Sequence, residues 1–394
     1  MLGYGRESVE LDLPSGVVAP SAPAPGVVDA AAAVRAALET PHGWPALRRA
    51  VTPDDHIAVV VDEQLPHLGA LLVPLLDHLR QAGVAPDAVT LVCAPSASSQ
   101  AWIEELPDDY ADVHVEVHDP HDRKKLAYLA TTRQGRRIYL NRTVVDADQI
   151  VVFGARRYDP VLGYAGGETA LYPVLSDEAT RAEHVAKPSL ALPSAASPVR
   201  HEAVETAWLL GAPFLVQFIL GTGDELAHVV GGSLDASEEG RRLLDARWRT
   251  TVERPADLVI ATVTGDPAQH DFAVLAQALA NASRAVQPGG RIVLLTQATP
   301  DLGEAGELLR RGDTPREVLD HLKREKHPGL TPALHWATAA DKASIFLLSG
   351  LPDDVAEELF TTPMQHAHQA ARLAQPNETT LILPDAHRAL AVLA

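Results

Sequence analysis

The chain has 394 residues, of which 46% are hydrophobic and 22% charged, so it carries apolar material for more than one core and two domains are expected. A formal net charge of −19 excludes an extended nucleic-acid or anionic-membrane surface, which needs clustered Lys and Arg to displace counterions; small molecules or proteins remain as partners. Cys93 is the only cysteine, which excludes intramolecular disulfides and a thiolate-rich metal site and makes a reducing cytoplasm the expected compartment.

The opening MLGYGRESVELDLPSG has no basic region followed by an apolar run, and no stretch reaches about 18 apolar residues, so neither secretion nor membrane insertion is expected. A short Pro/Ala-rich stretch runs from Pro20 to Pro25. HIAVVVD (His56 to Asp62) then reads as a strand buried on both faces, and LGALLVPLLDHLRQAG as an amphipathic helix stopped at Gly83. AVTLVCA (Ala88 to Ala94), VHVEVHD (Val113 to Asp119), RRIYLNR and QIVVFG (Gln149 to Gly154) are further strands. Helix-forming HEAVETAWLLG precedes a strand, turn and strand in APFLVQFILGTGDELAHVVGG. The same grammar repeats in RPADLVIATVTGDP, in the helix DFAVLAQALANASRAV with its apolar face at Phe272, Leu275, Leu279 and Ala282, and in the strands GGRIVLLTQ and DKASIFLLSGLP.

Alternating strands and helices predict an α/β fold of two domains, 1–250 and 251–394, each with a mainly parallel sheet flanked by helices and with a ligand cleft between them. Asp62, Ala94, Gly154 and Gly265 should mark the C-terminal ends of strands, the first three in one sheet.

Candidate sites cluster where strands end. Arg156, Arg157 and Tyr158 follow QIVVFG, the position at which parallel sheets place ligands. An arginine fork suits a carboxylate or phosphate, whereas a solvated charged turn is the plainer alternative. GYAGGETALYP (Gly163 to Pro173) is either an anion-binding nest before a helix or a tight turn in which Gly166 and Gly167 permit positive φ. Ser96, Ser98 and Ser99 occupy the end of another strand without the elbow sequence of a nucleophilic serine. His114, His118 and His121 read better as strand-end polar groups than as a metal site, and Asp266 and Gln269 belong to a turn that can face the cleft.

Several stretches in order, VHDPHDRKKLAYLATTRQGRRIYLNRTVVDADQIVVFG, GYAGGETALYP, TRAEH, AWLLGAPFLVQFIL, HVVGGSLDASEEG, ADLVIATVTGDP and ASRAVQPGGRIVLL, resemble the nickel-dependent lactate racemase family. The resemblance covers nearly the whole chain and implies a racemase or epimerase acting on a 2-hydroxy acid or sugar acid, with a nickel-pincer nucleotide between two domains. It places Asp62, Tyr164, Gly166, Gly167 and Thr169 at the cofactor, His184 at the nickel, and His335 and Lys342 on a helix that contacts substrate.

The pattern departs from the family at its chemical groups. A lysine bonded to the cofactor is replaced by Glu168 and Thr169, with no lysine between Lys125 and Lys187. One catalytic histidine is replaced by Asp159, the other falls in PSASS (Pro95 to Ser99), and the phosphate turn DEQLPHL keeps only Asp62 and Pro66. A base near neutral pKa on each face of the substrate is therefore missing. This leaves Arg157, Tyr158 and Asp159 as catalytic candidates, a small anionic substrate, and a cofactor that is noncovalent if bound. A catalytically degenerate member that binds a small anion or a protein partner is the alternative.

Overall fold

Two six-stranded sheets organise the chain in a computed structural model that describes residues 1–14, 17–18, 25–95, 100–185, 190–324 and 330–394. Ser96, Ser98 and Ser99 lie outside the described residues, as does most of the Pro20 to Pro25 stretch.

In the first sheet the strand order is Leu226–Gly232, Phe214–Leu220, Gln149–Ala155, Ile57–Val61, Val89–Cys93 and His114–Val117. All neighbours are parallel except Phe214–Leu220 with Leu226–Gly232, the antiparallel pair expected of a strand, turn and strand. The continuous apolar run at Ile57–Val61 has the physical basis that both faces are covered. Val59 and Val61 pack with Leu72 and Leu75 of the helix Leu68–Gln81, while Ala58 and Val60 pack on the other side with Val144, Leu171 and Ala207.

The second sheet runs Thr361–Pro363, Ser344–Leu348, Val286–Leu295, Ala256–Thr262, Thr380–Leu383 and Val17–Val18, parallel throughout. Val259 and Ala261 face Trp336 and the predicted stripe of Phe272, Leu275, Leu279 and Ala282, whereas Leu258 and Ile260 face Leu2, Met364 and Ala370. The N-terminal residues thus join the second sheet, Val17–Val18 as its edge and Gly5 through a bridge to Thr264. Arg249–Val252, which leads out of the first half, pairs in parallel with Leu390–Leu393.

The strands ending at Val61 and Cys93 share one sheet with Gln149–Ala155, as expected for Asp62, Ala94 and Gly154. Two details differ from the sequence reading. Ala256–Thr262 ends before Gly265 because Thr264 turns its N–H to the Asp385 carboxylate, and RRIYLNR forms an antiparallel hairpin of Leu126–Thr131 with Arg137–Asn141 outside the main sheet.

Candidate functional site

Chain order makes one position in each sheet special. From Ile57–Val61 the chain moves to Val89–Cys93 and His114–Val117 on one side, then returns to Gln149–Ala155 on the other. From Ala256–Thr262 it likewise moves outward through Val286–Leu295 and returns at Thr380–Leu383. Connections leave in opposite directions at such a switch point, and the gap between them is where open α/β sheets hold ligands. Asp62 and Arg157 stand at the first; His270, His387 and Arg388 stand at the second. Residues from both line one cavity of about 240 Å³.

Arg156 and Arg157 are adjacent but differ in what they have left to give. Arg156 is fully buried, donating from Nε to Gln217 Oε1 (2.5 Å), from Nη1 to the Gly166 carbonyl (2.6 Å), and from Nη2 to Glu168 Oε2 (2.8 Å) and Ser237 Oγ (2.5 Å). Arg157 donates from Nη1 to Asp62 Oδ2 and keeps a side chain 32% exposed; among the described residues its Nε and Nη2 make no hydrogen bond. Asp62 Oδ2 also accepts the Ala155 N–H at 3.0 Å and Oδ1 the Gln64 N–H at 3.1 Å, which ties the two strand ends of the switch point together.

The glycine loop closes around Arg156. Gly166 has φ 85°, and a Cβ there would lie 2.2 Å from the Ala155 carbonyl oxygen; Gly167 has φ 55°, and its Cβ would lie 2.3 Å from Arg156 Nη2. Gly166 is required by the close approach of the Ala155 carbonyl, and Gly167 by the Arg156 guanidinium pressed beneath the turn. Thr169 is buried, its hydroxyl donating to the carbonyls of Gly166 (3.0 Å) and Tyr164 (3.3 Å). Glu168 is wholly buried between Arg156 and Arg200, whose Nε lies 3.0 Å from Oε1. Burial alone would raise its carboxyl pKa, but the two guanidinium charges and the bonds from Arg156 and Ser237 hold it down at about 2.

Between Arg157 and the loop, Arg157–Asp159 pairs with Gly163–Ala165 in a small antiparallel ribbon that sets Tyr158 opposite Tyr164, ring centroids 5.7 Å apart. Both hydroxyls donate to Asp245, Tyr158 to Oδ1 at 2.9 Å and Tyr164 to Oδ2 at 3.0 Å. Burial, reinforced by the Asp245 charge, raises both phenols, Tyr164 to about 12. Asp159 Oδ1 accepts the Val161 and Leu162 N–H groups at 2.7 Å each, shaping the ribbon's turn; burial raises its pKa while those two bonds oppose the rise.

Asp159 and His184 line a neighbouring cavity of about 400 Å³ with Arg181 and His335. His184 is buried in the last turn of Glu178–Val185, with Nε2 3.5 Å from the Tyr172 hydroxyl. His118 is buried against the Ser176 carbonyl and Asn141, while His114 and His121 are exposed. Among the described residues no group of three or more His, Cys, Asp and Glu side chains is placed to hold a metal ion.

The second half contributes residues that sequence reasoning missed. His270 follows the Ala256–Thr262 strand, and His387 and Arg388 follow Thr380–Leu383; the two imidazole centroids are 5.6 Å apart, and the Nδ1 of each is buried without a hydrogen-bond partner. Arg388 donates from Nη1 to the carbonyls of Gly221 (2.6 Å) and Gly223 (2.5 Å), crossing to the first half. Burial, then the Arg388 charge, lowers the pKa of His270, and the same two causes with His270 and Arg157 lower that of His387 well below the ordinary imidazole value. A signal was available in PDAHRAL: it is the polar turn after the last buried parallel strand, where the rule applied to Arg156 and Arg157 points equally.

Residues 4–195 match the family described as the lactate racemase N-terminal domain. The lactate racemase of Thermoanaerobacterium thermosaccharolyticum is 19% identical over 412 aligned positions, spanning 97% of this chain and 96% of that protein. The chain is thus similar to lactate racemases, in its first half by the family model and along nearly its whole length by the alignment. The apoprotein structure of that racemase superposes with a TM-score of 0.81 at 17% identity, covering 99% of each chain, and a crystal structure of a protein from Thermotoga maritima with 0.60 at 14% identity, covering 86% of this chain and 93% of that one. At such identities the superpositions establish the fold: α/β, with mixed sheets flanked by helices.

The family resemblance implies a tethered cofactor at the glycine loop. A covalent tether needs an amine beside the two glycines, and this chain has there a carboxylate locked by two arginines and a hydroxyl turned back on the loop carbonyls. These residues do not fit a tethered nickel-pincer nucleotide. No helix of the described residues is long and apolar enough to cross a membrane.

Proposed function

We propose that the chain is a racemase- or epimerase-type isomerase acting on a small 2-hydroxy acid or sugar acid, with chemistry altered from that of the lactate-racemase family. The substrate lies between the two halves, where Arg157 offers its open edge and Tyr158 forms part of the wall. The observation that carries this reading is the meeting of two sheet switch points at one cavity, on a chain aligned end to end with a lactate racemase. Asp159 and His184 extend the site into the adjoining cavity, which shares Tyr158 and Gln277 with the first. Any nickel-pincer nucleotide is held there without a covalent bond.

Chiral chromatography of each enantiomer of lactate, glycerate and related acids, incubated with protein from hosts that do and do not make the nickel-pincer nucleotide, tests the reading. Interconversion is the expected result, and intact mass should show no nucleotide-sized increment from either host. A second reading, binding without catalysis, is favoured by one observation: the glycine loop is filled by the chain's own Arg156 and Glu168. Retention of every enantiomer by a protein that still binds the acids would establish that second reading.

A further inference from the structure

Four strands form the outer edges of the two main sheets, and three of them are protected against further pairing. Leu226–Gly232 is covered by earlier parts of the chain, the Val27 N–H bonding to the Leu226 carbonyl and the His42 N–H to the Gly231 carbonyl. Thr361–Pro363 ends in proline, and Val17–Val18 is two residues long. His114–Val117 has none of these devices. The His118 N–H bonds to the Cys93 carbonyl, so by the two-residue alternation of a parallel ladder His114 and Glu116 address Val89–Cys93, while Val115 and Val117 turn their N–H and C=O groups outward. Among the described residues those outward groups have no partner, and Val117 is 39% exposed.

The two ends of this strand carry opposite charge. Residues 104–112, which lead into it, hold five carboxylates and no basic residue. Glu104, Glu105, Asp108 and Asp112 are exposed, and among the described residues their side chains make no ion pair or hydrogen bond. Residues 121–125, which lead out of it, hold Arg123, Lys124 and Lys125, exposed and with side chains equally unpaired. Elsewhere on this acidic surface Arg48, Arg80, Arg242 and Arg310 each hold a carboxylate.

We propose that two copies of this chain pair antiparallel through His114–Val117, about a twofold axis at Glu116, so that their first sheets become one. Val115 of each copy then exchanges N–H···O=C bonds with Val117 of the other, which satisfies the outward groups of both. The antiparallel direction also brings the acidic lead-in of one copy to the basic lead-out of the other, and the twofold repeats the contact. An edge with one sign of charge at both ends would repel its own copy; opposite signs at opposite ends attract in this orientation and oppose the parallel one, which would set like on like. A four-residue strand is too short to hold a dimer alone, so the charged flanks supply the remaining area and make the association sensitive to salt. Such an interface is self-complementary and closes at two copies.

Sedimentation equilibrium of the full chain at micromolar concentrations, in low and high salt, tests the pairing. The variants are Val117→Pro, which removes an N–H that the ladder to Val89–Cys93 does not use; Arg123→Glu with Lys124→Glu; Asp108→Lys with Asp112→Lys; and all four reversals together. Asp109 is left intact because it holds Arg80. Wild type should dimerise in low salt, and high salt or either pair of reversals should weaken the dimer at least about tenfold. The four reversals together should restore it, and Val117→Pro should be monomeric with the fold retained by circular dichroism. Wild type that stays monomeric in low salt overturns the proposal, including the case in which this edge takes a strand from a different protein. So does a dimer that no variant weakens, a dimer lost by each pair of reversals and not recovered by the four together, or association beyond two copies. A dimer that responds to the reversals but survives in folded Val117→Pro overturns the strand pairing; should Val117→Pro fail to fold, loss and recovery in the charge variants decide the matter.

Discussion

Replacing Glu168 with Gln should destabilise the protein by about 3 kcal/mol at pH 7, and the loss should shrink in acid. The substitution keeps the side-chain volume and removes one charge from a wholly buried cluster, leaving Arg156 and Arg200 facing each other without a counter-ion. Removing one partner of a buried pair costs about 3–5 kcal/mol. Proton linkage gives a second route to the magnitude. The carboxyl moves from an ordinary value of 4.5 to about 2 on folding, which at about 1.36 kcal/mol per unit corresponds to about 3 kcal/mol. Because the folded value is the lower one, this stability is complete above pH 4.5 and is lost as pH falls toward 2. Urea denaturation of wild type and Glu168→Gln should therefore differ by about 3 kcal/mol at pH 7, with the gap narrowing by about 1 kcal/mol at pH 4 and about 2 kcal/mol at pH 3. Taking the difference cancels the other carboxylates common to both proteins. A gap that stays constant with pH would refute the assignment of Glu168 as an ionised member of the cluster, and a gap under about 1 kcal/mol would refute the cluster's role in holding the loop.

Two further outcomes follow from the same geometry. Gly167→Ala should cost at least about 1–2 kcal/mol from φ 55° alone, and more because its Cβ lies 2.3 Å from Arg156 Nη2; denaturant midpoints measure the total, and a neutral result would mean that Arg156 is not seated under the loop. Burial lowers the folded pKa of His78, His118, His270 and His387. Their stabilising contribution is full above the unfolded imidazole value of 6.5 and declines as pH falls below it, so melting temperature should drop between pH 7 and pH 5, and less so in His387→Gln; a flat profile would contradict it.

Strand and helix periodicity made the sheets legible. Ile57–Val61 and Ala256–Thr262 are apolar at successive positions because both faces are covered, and the stripe from Phe272 to Ala282 faces one core. The joining of residues 1–18 to the second sheet was not legible, since a two-residue edge strand such as Val17–Val18 carries no period. At the strand end, the sequence singled out Arg156 and Arg157 together but could not separate them, because adjacent residues in extended chain point to opposite sides and only the fold says which side is filled. His270, His387 and Arg388 escaped notice for a different reason. They are far apart in sequence and converge only through the order of strands in the second sheet, which local pattern does not encode.

The glycine loop is packed by the chain's own side chains. Two glycines after a buried strand report that something must approach the backbone closely, and in this chain that requirement is met by Arg156 Nη1 at 2.6 Å from the Gly166 carbonyl and by Nη2 beneath Gly167. A carboxylate at position 168 is unfavourable beside a bound phosphate but stabilising beside two guanidinium groups, so Glu168 and the arginines fit one arrangement and exclude the other. The loop therefore fixes Arg156 inward, while the following residue, Arg157, turns to Asp62 at the edge of the cavity. Arg157 shares the lining of one cavity with His270, His387 and Arg388.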